Sequence, residues 1–270
     1  MPLRTIAHIS DLHFGRVDDE ILPALVASIT AARPDVVVVS GDLTQRAKSA
    51  EFITARKFLD TLPQPQIVVP GNHDVPLYNV AARWLTPLDK YRRYVTGDLA
   101  PFHADEEIAI AGLNTARSLT VKGGRINPGQ VANSCARFDA TSGNVTRILV
   151  THHPLDAGDG ADHVVGRANM AMAGFSRCRI DMVLAGHLHA SRISASASRY
   201  KIAGYSALLV QAGTATSSRR RNEPNAWNLI RIERPHISVD RVSWNNKRRA
   251  FAVVQTDKFT FGTDGWSPTP

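Results

Sequence analysis

Cysteine is nearly absent from this 270-residue chain: Cys135 and Cys178 stand far apart, with no other cysteine at a metal-binding spacing. That excludes a disulfide-rich scaffold and a cysteine-built zinc knuckle, and two reduced thiols are expected. Long apolar runs are missing as well; no segment approaches the roughly 20 apolar residues that a membrane helix requires. The opening "MPLRTIAHISD" enters a strand-like pattern at once, without a basic leader ahead of an apolar run, so a cytoplasmic location is expected. Lysine is scarce, at seven of the 32 basic residues, so arginine carries most of the positive charge behind the net +8. With 43% hydrophobic and 21% charged residues, the composition is that of a globular protein and excludes a disordered chain.

What is present is a run of short apolar segments. "LRTIAHIS" (3–10) and "PDVVVVSGD" (34–42) read as buried strands, and between them Ile21, Leu22, Leu25, Val26 and Ile29 recur at helical spacing. A second helix over 49–62 leads to the strand "QIVVPG", which makes consecutive βαβ units and a parallel sheet. One polar helical stretch follows at 79–94. Beyond it helical spacing becomes scarce, and strands are expected within 107–114, 145–154, 180–189, 205–214, 227–233 and 236–244. The expected fold is α/β, a four-layer α-β-β-α sandwich of two mixed β-sheets flanked by helices. It occupies residues 1–250, with 251–270 a loosely packed C-terminal tail.

Ligand sites of open α/β sheets lie beyond the carboxyl ends of the strands. Here each such end is polar: Ser10-Asp11-Leu12-His13, Gly41-Asp42, Gly71-Asn72-His73-Asp74, Thr151-His152-His153-Pro154 and Gly186-His187-Leu188-His189. Taken singly, Gly-Asp and Gly-Asn are turn residues. Together they place six of the ten histidines at strand exits, and His8, His103, His163 and His236 fit no cluster. A mixed imidazole and carboxylate set suits Zn²⁺, Fe or Mn²⁺ better than Mg²⁺ or Ca²⁺. Asp11, His13 and His189 could hold one ion and Asn72, His152 and His187 another, with Asp42 bridging them through one oxygen on each. A water caught between two such ions loses a proton near neutral pH and becomes a hydroxide nucleophile.

The motifs "SDLH", "GDLT", "GNHD", "THHP" and "GHLH", in this order over residues 10–189, resemble those of the calcineurin-like, or binuclear, metallophosphoesterase superfamily. The resemblance implies metal ligands at Asp11, His13, Asp42, Asn72, His152, His187 and His189, a catalytic His73, and two divalent or trivalent ions (Mn, Fe or Zn). His153 is then expected behind the ligands; Asp74, next to His73, could orient its ring or simply form the turn. "HISD", "GDLT" and the late "EPNAWNLIRI" are similar to the bacterial cyclic-nucleotide phosphodiesterase and glycerophosphodiesterase group. The implied activity is dimetal-dependent hydrolysis of a small phosphodiester, a 3',5'-cyclic nucleotide or a glycerophosphodiester.

Arg16, Lys122 and Arg125 are candidate substrate contacts. From Ser217 to Pro270 ten basic residues face five acidic ones. This region, with its aromatic residues in "WNNKRRAF" and at Phe259, Phe261 and Trp266, leaves room for an anionic membrane surface or nucleic acid as partner. The corresponding alternatives are a phospholipid or lipid-precursor phosphodiesterase peripheral at the membrane, and a nuclease. A non-catalytic scaffold is a third, disfavoured because no ligand of the motif set is missing. The sequence leaves the oligomeric state open.

Overall fold

In the computed structural model the four consecutive valines Val36–Val39 are all buried, and alternate side chains enter different cores. Val36 and Val38 pack between two sheets, whereas Val37 and Val39 pack under helices. The period-2 direction of strand side chains thus turns one apolar run into two interfaces. The structure describes residues 2–118, 120, 123–141, 145–158, 164–218 and 223–269.

In chain order the strands and helices are β1 (Arg4–Ile9), α1 (Ile21–Ala32), β2 (Val36–Val39), α2 (Ser49–Leu59), β3 (Gln66–Val68), α3 (Val80–Leu85) and α4 (Asp89–Tyr94). They continue with β4 (Phe102–Ala104), β5 (Ile108–Gly112), α5 (Pro128–Asp139), β6 (Thr146–Val150), α6 (Ala168–Arg177) and β7 (Met182–Ala185). β8 (Arg192–Ala195), β9 (Leu208–Gln211), β10 (Ala226–Glu233), β11 (His236–Asn245), β12 (Ala250–Gly262) and β13 (Gly265–Pro268) complete the chain. One sheet runs β13-β12-β11-β10-β1-β2-β3 and the other β4-β5-β6-β7-β9-β8. Within the first, β1-β2-β3 are parallel and the pairings from β1 through β10 to β13 antiparallel. Within the second, β5-β6-β7-β9 are parallel and both edge strands antiparallel.

Ile108, Ile110, Ile148, Val150, Leu208 and Val210 face the first sheet across the central core. Their alternates Ala109, Ala111, Leu149 and Leu209 pack with residues of α5 and α6 such as Val131, Phe138, Met172 and Phe175. The architecture is therefore the four-layer α-β-β-α sandwich of two mixed sheets.

Several expectations are corrected. The helical stretch at 79–94 is two short helices, because Pro87 disfavours helical geometry at Thr86, where α3 ends. α5 and α6 interrupt a region expected to be almost all strand; α5 opens with a capping box in which the Asn127 side chain accepts from the Gln130 amide, with Pro128 in the first turn. Residues 251–268 are not a loose tail. β12 pairs along β11, β13 turns back on β12, and Trp266 is buried in the inter-sheet core with its indole nitrogen donating to Asp181. Trp244 and Phe259 are buried too, so most of the aromatic residues that suggested a membrane contact in this region sit inside the fold. Finally, Cys135 on α5 and Cys178 just after α6 are joined by a disulfide with their Cα atoms 5.3 Å apart, not kept as separate thiols. α5 and α6 pack side by side, which brings together residues 43 positions apart in sequence.

Candidate metal centre

The parallel strands of both sheets end on the same side, and their exits meet there. Asp11, His13, Asp42 and His189 each offer a ligand atom within 4.8 Å of one another, as do His152, His153 and His187. In the first group His13 Nε2 lies 3.0 Å from His189 Nε2, 3.6 Å from Asp11 Oδ1 and 3.7 Å from Asp42 Oδ2. His189 Nε2 is 3.2 Å from the same Asp11 oxygen. In the second group His152 Nε2 lies 3.2 Å from Asn72 Oδ1 and 3.3 Å from Asp42 Oδ2. Asp42 Oδ2 thus faces both groups, while Asp42 Oδ1 accepts the His73 amide at 2.8 Å. This corrects the expectation of one Asp42 oxygen per ion: a single oxygen is directed at both groups.

The donor set fits cations. Asp11 Oδ1 is buried without a hydrogen-bond partner, and two imidazole nitrogens at 3.0 Å repel unless a proton or a cation lies between them. Burial opposes ionisation of Asp11, yet His189 and His13 hold its carboxyl well below the usual range. Asp42 is held down in the same way by His152 against its burial. His152 is pushed up to about 9: burial works against its charge, but the Asp42 carboxylate outweighs burial. Burial and the charge of His152 press His187 down to about 4, and burial also lowers His13.

The local backbone is unusual where the ligands sit. Of the ten non-glycine residues with positive φ among the described residues, five are Asp11, His13, Asp42, His187 and His189. Such conformations cost free energy and persist where surrounding structure imposes them. Close approach also requires glycine beside the ligands: a Cβ on Gly71 would stand 2.1 Å from Asp42 Oδ1, and one on Gly186 2.5 Å from Asp11 Oδ2.

Residues 4–191 match the family described as Calcineurin-like phosphoesterase. The chain belongs to that family. A glycerophosphodiester phosphodiesterase GpdQ of Enterobacter lignolyticus is 40% identical over 80 residues, which cover 26% of this chain and 29% of the relative. A probable cyclic nucleotide phosphodiesterase of Synechococcus is 31% identical over 81 residues, covering 27% and 32%. The matched stretch therefore spans about a third of the length of these curated relatives. Among solved structures, a dimetal phosphatase from Danio rerio superposes with a TM-score of 0.70 at 13% identity, over 97% of this chain and 100% of that one. At that identity the likeness is one of fold.

Within this calcineurin-like fold the remaining candidates have specific places. His73 belongs to neither donor group; its ring packs edge-on against His13 with centroids 4.8 Å apart, and its Nδ1 bonds to the Gln45 carbonyl at 2.9 Å. A carbonyl can only accept, so Nδ1 carries the hydrogen and Nε2 is the atom left to act. Asp74 does not orient that ring. Its buried carboxylate accepts from the amides of Leu43, Thr44 and Gly71 and from the Thr44 hydroxyl, fastening the "GDLT" loop to the "GNHD" turn. Burial and the neighbouring Asp42 push its carboxyl up to about 6 despite those donors.

His153, expected behind the ligands, brings a ring nitrogen into the His152 and His187 group, while its Nδ1 pairs with Thr115 Oγ1 at 2.8 Å. Arg16 and Arg125 are exposed and outside both groups, although Arg125 follows Gly124, where a Cβ would run into the His153 ring. Lys122 lies outside the described residues, as do Arg219 to Arg221, the arginine run of the basic C-terminal region in which a nucleic-acid partner was considered.

Residues the motif reading passed over complete the frame. Ser10 Oγ donates to Asp11 Oδ2 at 2.7 Å, and the Ser40 carbonyl accepts from His152 Nδ1 at 2.8 Å, which directs His152 Nε2 toward Asp42. Ser10 could have been found from its place in "SDLH". The Ser40 and Gln45 carbonyls leave no mark in side-chain identity.

Proposed function

We propose that this chain is a dimetal-dependent phosphodiesterase acting on a small phosphodiester, a cyclic nucleotide or a glycerophosphodiester. The observation that carries the reading is the meeting of two nitrogen and oxygen donor groups at Asp42 Oδ2, beside a His73 ring that belongs to neither. Asp11, His13 and His189 would hold one ion and Asn72, His152 and His187 the other, with Asp42 shared; imidazole and carboxylate together favour Mn, Fe or Zn. Two such ions, when bound, acidify a water and neutralise phosphoryl charge.

The chain's own residues supply the rest. Asp42, fixed by the His73 amide through Oδ1, keeps Oδ2 in the centre of the site. His73, held by the Gln45 carbonyl, presents Nε2 to the substrate. In its protonated form it donates to a phosphoryl oxygen, and as a water oxygen bonds to phosphorus and the phosphorus–oxygen bond to the leaving group breaks, it passes that proton to the departing alkoxide. The restriction to diesters is supported by the names of the two curated relatives and by nothing in the metal ligands themselves.

The test uses Mn²⁺-reconstituted protein with bis-p-nitrophenyl phosphate, p-nitrophenyl phosphate, cyclic nucleotides and glycerophosphodiesters. His73→Ala should lower turnover about 100-fold or more while bound metal stays near the wild-type level. Preference for the monoester would defeat the diesterase reading; loss of both metals in the variant would make His73 a ligand.

A further inference from the structure

Tyr78, Val80, Trp84 and Leu85 are 76%, 64%, 61% and 82% exposed, within eight residues that begin four positions after Asp74 of the His73 turn. The other tryptophans, Trp227, Trp244 and Trp266, are 1%, 6% and 1% exposed, so Trp84 is unlike them. α3 is not a frayed end. Its Arg83 is buried and donates to the carbonyls of Pro76, Ser118 and Thr120, which pins one side of the helix and leaves Val80 and Trp84, one turn apart, outward.

The surroundings of this apolar face are cationic. The Arg46 guanidinium sits 5.4 Å from the Tyr78 ring centroid. Leu85 shares a cavity of about 280 Å³ with Leu88, Leu99, Arg92 and Arg117, with Asp89 as the one acid in its lining. Arg92 and Arg93 are both exposed on α4, which carries Asp89 as its acid. Exposed aromatic and aliphatic side chains bordered by arginine match an anionic lipid surface: the rings and Leu85 enter the headgroup boundary, and the guanidinium groups meet the phosphates. A second copy of the chain is a poorer occupant, because a two-fold contact would set this arginine border against itself.

We propose that α3 and the segment leading into it form a docking surface for an anionic lipid bilayer, which would bring the mouth of the metal centre to the membrane. The surface lies in the chain between the GNHD and THHP motifs, apart from the C-terminal region first considered for that role, and it stands whether or not the centre hydrolyses diesters.

Unilamellar vesicles of phosphatidylcholine, with and without phosphatidylglycerol, are titrated into the full chain at low ionic strength. Co-sedimentation and tryptophan emission are followed. Because the other three tryptophans are buried, a blue shift reports Trp84 entering an apolar environment. Binding is expected with phosphatidylglycerol and about tenfold weaker without it. Trp84→Ser combined with Leu85→Ser should weaken co-sedimentation about tenfold or more with an unchanged circular dichroism spectrum and melting temperature, and Arg92→Glu should weaken it about fivefold. Either no binding of the wild-type chain to the anionic vesicles, or binding unaffected by the paired serine substitutions, overturns the proposal. So does a concentration-dependent dimer that those substitutions abolish, which would assign the face to a second copy.

Discussion

His8 offers a quantitative test of how the fold manages a titratable group behind the metal centre. It lies fully buried on β1, with Nε2 2.9 Å from Ser40 Oγ and Nδ1 3.4 Å from the Asn228 amide nitrogen. Asn228 Nδ2 also donates to the Gln211 carbonyl, so that atom is a donor and His8 Nδ1 must accept. Protonating Nδ1 would set two donors against each other in a fully buried site. Burial accordingly lowers the His8 pKa from 6.5 to about 3, although Asp11 pulls the other way. The folded state therefore binds fewer protons than the unfolded chain below pH 6.5, and its stability falls as pH falls from about 6.5 toward about 3. At about 1.4 kcal/mol per pH unit, the loss reaches about 2 to 3 kcal/mol near pH 4.5 and about 4 to 5 kcal/mol when complete. Urea unfolding of the metal-free chain over this window should show it. His8→Gln keeps a donor for Ser40 and an acceptor for Asn228 but cannot take the proton. Its stability should depend on pH less steeply by about one proton, and that difference separates His8 from His187 and His13, which titrate in both proteins. Parallel pH profiles for the two proteins would refute the reasoning.

Asp74→Ala should destabilise the chain by about 3 kcal/mol in chemical denaturation, because three buried amides lose their acceptor; Asp74→Asn, which retains one carbonyl, should cost less. Gly71→Ala should lower metal content measured by elemental analysis, since its Cβ would displace the Asp42 carboxylate, and unchanged stoichiometry and affinity would count against the shared role of Asp42. Reducing the Cys135–Cys178 bond, which spans 43 residues, should lower stability by about 3 to 4 kcal/mol, with dithiothreitol shifting the urea midpoint of the wild type and not that of Cys135→Ser.

The fold and the site were legible in the sequence to different depths. Buried parallel strands such as Val36–Val39 have an unmistakable apolar texture, and a polar strand exit like Gly-Asn-His-Asp is conspicuous after one. The amphipathic helices α5 and α6 were missed because their apolar residues are interspersed with small and polar ones, and β12 was missed because most of its residues are exposed on a sheet face that carries little core. Pairing of β12 rests on backbone hydrogen bonds to β11, which composition does not record.

By itself the sequence determined which residue types stand at each strand end, and hence that imidazole, carboxylate and carboxamide groups would gather on one side of parallel sheets. Chain direction dictates that, since parallel strands end together. Only the tertiary structure decided how those groups divide. Packing of the two sheets aimed a single Asp42 oxygen at both donor groups, drew His153 into one of them, and gave Asp74 to the backbone of a neighbouring loop instead of to His73. These choices depend on distances between segments far apart in the chain, and on main-chain carbonyls such as those of Ser40 and Gln45, whose partners no side-chain pattern reveals.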